Sequence, residues 1–462
     1  MKRKLFTALM SLLCVFCLAL GLAACTPGGN ENNEPDDDDG PPIIQGGSKE
    51  AFEYELINNG AEYAVKGIGT VTKTSIEIPA EYKGKPVTAI ADMAFAEHNK
   101  LTNVQLSHGL KVIGKNAFSS CTQIVGMVIP ASVTEIGNSA FASCSKLLTV
   151  EFKAGSHIET IGDAAFRNCK ALTTIVLPDS LTNIPVNAFF NCSALTTAVV
   201  GNGVKTIGET AFANCTKLTN LTLGTGLEAI KSHAFQNCTS LEDIVIPDNN
   251  MKEIGFGAFD GCTAAKNVTV PFLGAIKSLP VEGDYYKYKS GAASGTETSR
   301  RFVNENNEEI EVTNFGYIFG SVNYEKNVEN ESLHNIKRIT VNGNSPVYDV
   351  SLCMLYKQND SLGVETVIFG DGIKILGETA ISFALQLHNV VLGSGVTTIK
   401  EGFLDFAGEG TINIFYNGKQ SDYLKISIDR HNQYAPNRVL DGSPKYWDGQ
   451  WHYDANGNPV CW

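Results

Sequence analysis

The sequence predicts a repeat solenoid built on a parallel β-sheet, mainly β, with short helical or 3₁₀ turns. Three observations predict it. First, the dipeptide Ala-Phe recurs with its phenylalanines at Phe95, Phe118, Phe141, Phe166, Phe189, Phe212, Phe235 and Phe259, at spacings of 23, 23, 25, 23, 23, 23 and 24 residues. A fixed period of this length is the signature of stacked supersecondary units. Second, one frame surrounds every copy, roughly Ile-Gly-x-x-Ala-Phe-x-x-Cys-x-x-Leu-x-x-Val-x-Leu/Ile-Pro, as in "TIGDAAFRNCKALTTIVLP" (Thr160 to Pro178). Third, a single unit cannot fold alone. Its large apolar side chains contribute on the order of 10 kcal/mol when buried, while ordering the backbone costs roughly 1–2 kcal/mol per residue. Units must therefore stack, with their strands paired in parallel about 4.8 Å apart.

The elements follow in chain order. The N-terminus, "MKRKLFTALMSLLCVFCLALGLAAC", has a basic start, an apolar run and then small residues, the layout of a secretory leader. It ends in Leu22-Ala23-Ala24-Cys25, which resembles a bacterial lipobox. The resemblance implies a lipoprotein signal peptide over 1–24, cleavage before Cys25 and lipid attachment to its thiol. An ordinary leader or a short membrane anchor would share the apolar run. Cys14 and Cys17 form a C-x-x-C, but it lies inside that run and would leave with it. Residues 25–48 carry "TPGGNENNEPDDDDGPP", too polar to bury a core, and are expected to be a disordered acidic tether. Its four aspartates lack the fixed geometry of a tight calcium site.

An N-terminal cap is expected over 49–92 and regular repeats over 93–270. In "LTTIVLP", Ile175 and Leu177 alternate with Thr174 and Val176 as a strand with one buried face does. Pro178 offers no ladder N–H and should close the strand. Asp163-Ala164-Ala165-Phe166 should form a short helical or 3₁₀ turn. The period breaks after Phe259, and 271–332, containing "SGAASGTET", reads as an irregular insertion within one repeat. Degraded repeats follow over 333–405, with Ile381 at the phenylalanine position and Ala384 at the cysteine position. Residues 406–462 form an aromatic-rich C-terminal cap. There Tyr446, Trp447, Trp451, His452, Tyr453 and Trp462 could make a sugar-binding platform or plug the solenoid end. Asp454-Ala-Asn456-Gly-Asn458 has part of a calcium-loop pattern, but Pro459 stands where that loop's glycine belongs.

The frame resembles the BspA-like leucine-rich-repeat family of bacterial surface proteins, in the copies above, in the lead-in Tyr63 to Phe95, and in "NFGYIFGSVNY" (Asn314 to Tyr324). The resemblance implies a leucine-rich-repeat fold and surface-exposed recognition, such as adhesion to a host protein, matrix or another cell.

Candidate chemistry is sparse. Cys121, Cys144, Cys169, Cys192, Cys215, Cys238 and Cys262 hold one place in successive units and should form a structural column of small, buried hydrophobes. A column is a line, whereas a metal site needs ligands converging on a point, and no histidine recurs beside it to activate a thiol. Disulfides between adjacent turns stay open as an alternative. No G-x-S-x-G, H-E-x-x-H or Walker loop is present. No catalytic residue, metal or cofactor is implied. The sequons at Asn191, Asn214 and Asn237 are by-products of the repeat. The formal charge of −13 argues against nucleic acid, which calls for clustered Lys and Arg. The expected binding face carries Thr102, Asn103, Thr173, Thr174, Thr196, Thr197, Thr219 and Asn220, extended by Lys266, Asn267, His388 and Asn389, a surface of hydroxyls and amides. The expected function is a lipid-anchored cell-surface protein for adhesion or macromolecular recognition of a protein or glycan. A component of surface-polysaccharide processing and a structural spacer are the alternatives.

Overall fold

The computed structural model describes residues 51–248, 250–272, 302–303, 309–310, 318–319, 333–343, 363–376, 381, 386–399, 403–404, 412–428, 445–455 and 457–461. The leader 1–24, Cys25, the tether 25–48, Ala384, Trp462 and most of 271–332 lie outside the described residues.

Each unit makes three sides. The first is a strand of three or four residues, for example Thr174–Val176. Its central residue, Ile175, points into the core, and its neighbours Thr174 and Val176 point out. Such strands pair in parallel, residue for residue: Thr174 with Thr197, Ile175 with Ala198, Val176 with Val199. One sheet stacks Gly126–Ile129, Thr149–Phe152, Thr174–Val176, Thr197–Val199 and Asn220–Thr222. A second stacks Asp243–Val245, Asn267–Val270, Arg338–Val341, Thr366–Phe369, Asn389–Leu392, Asn413–Tyr416 and Lys445–Tyr446. Asn267–Val270 pairs directly with Arg338–Val341, so the segment between them is an excursion from one rung.

The second side is a two-residue strand, as in Asn183–Ile184, Thr206–Ile207, Ala229–Ile230 and Glu253–Ile254. Glycine follows the isoleucine at Ile113, Ile136, Ile161, Ile207 and Ile254, where rungs crowd. A Cβ on Gly162 would stand 2.3 Å from the backbone nitrogen of Asn138 in the previous rung. At the N-terminal end Glu53–Ile57 pairs antiparallel with Glu62–Gly67, which pairs parallel with Lys85–Ile90 and so joins this ladder.

The third side is a run of hydrogen-bonded turns. Two columns have left-handed backbone. Asn116, Ser139, Ala164, Asn187, Thr210 and His233 form one, and Ser120, Ser143, Asn168, Asn191, Asn214 and Asn237 form the other, all with φ between 53° and 63°. Alternating left-handed residues prevent a helix from propagating. Asparagine tolerates that region best among non-glycine residues, and Gly257 and Gly261 take both positions in the next unit. The turns bond along the stack: Phe166 N donates to Ala188 O at 2.8 Å and Phe189 N to Ala211 O at 2.7 Å.

Inside, the phenylalanines form one column. Rings from Phe95 to Phe259 stack with centroids 5.0–5.4 Å apart and planes within 10°. Parallel rings at that separation are offset, the favourable arrangement for their quadrupoles. Each of these eight rings is fully buried. Phe319 follows Phe259 at 6.3 Å with a 45° tilt, and Phe259 N donates to Ile318 O at 2.7 Å. Ile318-Phe319 thus takes the Ala-Phe place in the next rung, inside the 271–332 segment. Ile381 is buried and donates its N–H to Phe403 O at 2.8 Å, the same rung-to-rung bond.

Candidate binding face

Alternation fixes what the sheet shows to the outside. Each strand presents two residues outward, which makes two columns. The first runs Asn103, Gly126, Thr149, Thr174, Thr197, Asn220, Asp243 and Asn267, continuing to Arg338, Thr366, Asn389 and Asn413. The second runs Gln105, Val128, Glu151, Val176, Val199, Thr222, Val245 and Thr269, continuing to Thr340, Ile368, Val391, Phe415 and Tyr446.

The residues singled out from sequence divide between two places. Asn103, Thr174, Thr197 and Asn220 stand in the first column. Thr102, Thr173, Thr196 and Thr219 stand one residue ahead of the strand. Their hydroxyls turn along the stack and donate to the preceding rung: to Thr74 O at 3.1 Å, Leu148 O at 3.4 Å, Thr173 O at 3.1 Å and Thr196 O at 3.3 Å. These four hydroxyls reinforce the ladder. Lys266 precedes its strand in the same way and pairs with Glu242 at 2.8 Å, as does His388, whose backbone N–H reaches Glu365 O. In the first column, Asn103 Nδ2 donates to Ser75 Oγ at 3.2 Å and Asn267 Nδ2 to Asp243 Oδ1 at 2.7 Å.

Sequence reasoning missed the second column. Val128, Val176 and Val245 are 42%, 46% and 56% exposed, so the outer face is a hydroxyl and amide column beside a valine-rich one. The signal was available: counting by two from buried Ile175 sends Thr174 and Val176 out together.

The aromatic C-terminus also lies on this face. The hairpin Trp451–Tyr453 with Pro459–Cys461 is antiparallel. Trp451 packs on Val391 and Phe415 and is 8% exposed. Trp447 packs against Tyr423 at 4.8 Å. Trp451 and Trp447 therefore cover the sheet and the neighbouring core, while Tyr453 stays 45% exposed. Asp454 and Asn458 close the hairpin turn, Asn458 N donating to Asp454 Oδ1 at 2.8 Å.

All seven column cysteines are buried, unpaired thiols. Each Sγ donates to the carbonyl of a phenylalanine in the preceding rung, from 2.9 Å for Cys121 to Phe95 O to 3.4 Å for Cys215 to Phe189 O. Burial pushes the Cys121 thiol up to about 11 and the Cys192 thiol up to about 12. It raises Cys144, Cys169, Cys215 and Cys238 as well. Such thiols stay protonated at neutral pH and are poor nucleophiles. The neighbouring asparagines form a surface ladder, Asn191 Nδ2 to Asn168 Oδ1 at 2.8 Å and Asn237 Nδ2 to Asn214 Oδ1 at 3.0 Å. Among the described residues no group of three or more His, Cys, Asp or Glu is placed to hold a metal ion, and no helix is long and apolar enough to cross a membrane.

Strand, short strand and turn, repeated in register around a phenylalanine column, define a parallel β-solenoid of the leucine-rich-repeat class. The profile of the BspA type leucine rich repeat region matches residues 69–196 and 184–279 in six copies, so the repeats over that stretch are of this type. Among solved structures, a T. pallidum leucine-rich repeat protein is 27% identical over 42% of this chain and 90% of that one, with a TM-score of 0.40. A leucine-rich repeat protein from Bacteroides ovatus is 19% identical over 86% of this chain and 98% of that one, with a TM-score of 0.46. A leucine rich cell surface protein from Faecalibacterium prausnitzii is 20% identical over 84% and 99%, with a TM-score of 0.39. No curated protein matches the chain.

Proposed function

We propose that this protein binds a macromolecule, a protein or a glycan, across the outer face of its parallel sheet, tethered at the cell surface through a lipidated Cys25. The observation that carries the reading is the pair of outward columns. From Gly126 to Asn220 they run in unbroken register over five strands, with exposed hydroxyls, amides and valines. Extended faces of this kind suit broad contacts made of many small contributions. The anchor rests on Leu22-Ala23-Ala24-Cys25 and the acidic segment after it. Lipid at Cys25 would need two or more chains for stable attachment, because one acyl chain holds only marginally. The seven thiols are proposed to be structural, as donors to buried carbonyls.

The test is a screen of the protein against glycans and extracellular proteins, followed by one double substitution. Thr174→Arg with Thr197→Arg places two bulky charges on adjacent rungs in the first column. Binding of the ligand found should weaken at least about tenfold, a loss of ~1.4 kcal/mol, with the melting temperature little changed. Unaltered binding by a folded double variant refutes the sheet-face reading.

A further inference from the structure

The outer face is open over the first sheet and covered over part of the second, and the covered part shows what such a face accepts. Trp451 lies on the step between Val391 and Phe415, adjacent residues of the second column. Its ring centroid is 5.3 Å from that of Phe415, and its Nε1 donates to Tyr416 O at 3.3 Å. The turn of the same hairpin reaches Arg338, whose Nη2 donates to Asn458 Oδ1 at 3.0 Å. Two strands, Thr366–Phe369 and Asn389–Leu392, separate Arg338–Val341 from Asn413–Tyr416. The hairpin therefore crosses the outward face of the sheet and seats an aromatic ring between rungs.

The same step recurs uncovered. Val176 and Val199 are register partners in the second column, as Val391 and Phe415 are. Threonines 174 and 197 flank them in the first column, where Asn389 and Asn413 flank the covered pair. Val176 is 46% exposed, whereas Val391 is 1% exposed. The nearest charge in the column, Glu151, is paired with Lys153 at 3.2 Å. The outward columns from Gly126 to Thr269 contain no aromatic ring on which a sugar could stack.

The geometry points to the Val176–Val199 step as a docking place for an aromatic side chain presented by a hairpin or extended segment of a partner protein. This rests on the reading of the sheet face as the binding surface and names the partner's chemistry. The partner's ring supplies what Trp451 supplies at the covered part: an apolar body over two β-branched or aromatic neighbours, and a polar handle for a backbone carbonyl at the rim. The polypeptide that covers the equivalent step, and the lack of an aromatic ring in these outward columns, favour a polypeptide over a glycan.

The probe is a head-to-tail cyclised peptide with the sequence of residues 449–461, titrated into the protein carrying ¹³C-labelled valine methyls. Ring-current shifts are expected at Val176 and Val199. Affinity should fall at least about fivefold, the worth of one aromatic contact, for the peptide with Trp451→Ala and for the protein with Val176→Thr and Val199→Thr. Threonine keeps the β-branched shape, so the variant should melt close to the parent. Absence of shifts at millimolar peptide, shifts only elsewhere, or equal affinity for the threonine variant overturns the proposal. Concentration-dependent dimers abolished by the threonine pair assign the step to a second copy and overturn it too. If the peptide fails while the arginine pair at 174 and 197 still blocks a macromolecular ligand, only the partner's chemistry falls. If the arginine pair is also without effect, the face itself is wrong.

Discussion

Phe189 is the sharpest place to perturb the stack. Its ring lies between Phe166 at 5.3 Å and Phe212 at 5.0 Å, with planes within 1° and 10°, and it is fully buried. Phe189→Ala removes a ring from a site walled by two others, so the cavity cannot collapse without breaking both stacks. Truncations of this kind cost about 3–5 kcal/mol, and this site should lie in the upper half of that range. Phe189→Leu retains most of the apolar volume and loses two ring pairs, each worth about 0.5–1.5 kcal/mol, for a total near 1–3 kcal/mol. Because repeats touch only their neighbours, the alanine defect should also uncouple the array. Urea unfolding followed by far-UV circular dichroism should show a lower midpoint and a broadened or split transition for the alanine variant. A single sharp transition with a loss below about 1 kcal/mol would refute the idea that the column carries coupling between rungs.

Three further expectations concern the thiols and the anchor. The column thiols have folded pKa values raised above the ordinary 9.0, so their stabilising effect is complete below about pH 9 and is lost as pH rises toward 11 and 12; stability measured by urea midpoint should decline across that window, and labelling by a thiol reagent should be slow at pH 8 until the protein unfolds. Fast native labelling of Cys192 or Cys215 would contradict the packing. Cys215→Ser should destabilise by roughly 1–3 kcal/mol, because the shorter C–O bond leaves the hydroxyl too far from Phe189 O, already 3.4 Å from the sulfur; a neutral result in the same assay would show that the thiol's bond is dispensable. Cys25→Ser should release the protein from membranes or leave its leader uncut, and a wild-type N-terminus that is an unmodified residue downstream of Cys25 would contradict lipidation.

The repeat was legible because its information is local and periodic. Ile-Gly, Ala-Phe, Cys and Leu each recur at one offset, and a unit too small to fold alone leaves stacking as the solution. The turn side was less legible. A run such as Asp163-Ala164-Ala165-Phe166 has helical composition, and only its stacking partners hold Ala164 at φ 56°. The asparagines ahead of Cys169, Cys192, Cys215 and Cys238 were a hint of left-handed turns, since that residue is enriched there. On the binding face, hydroxyl residues drew attention to Thr173 and Thr196, yet their side chains serve the ladder. The alternation set Val176 outward beside Thr174, yet Val176 and Val245 were passed over because the candidate face was drawn from hydroxyl and amide residues. The placement of Trp451 on Val391 and Phe415 joins residues far apart in sequence, with no pattern linking them. The return of Ile318-Phe319 to the stack beside Phe259 is equally long-range, and its only signal in the sequence was the family resemblance of "NFGYIFGSVNY".

The central claim, that the outer face of the sheet is where this protein binds, is tested most directly by footprinting the complex with a ligand found in the screen. Side-chain oxidation read by mass spectrometry, with and without that ligand, reports each outward residue separately. Protection should concentrate on Val128, Val176, Val199 and Val245, with Asn168, Asn191, Asn214 and Asn237 on the turn side unchanged. Protection confined to the asparagine ladder or to the C-terminal hairpin, with the valine column as reactive as in the free protein, would contradict it.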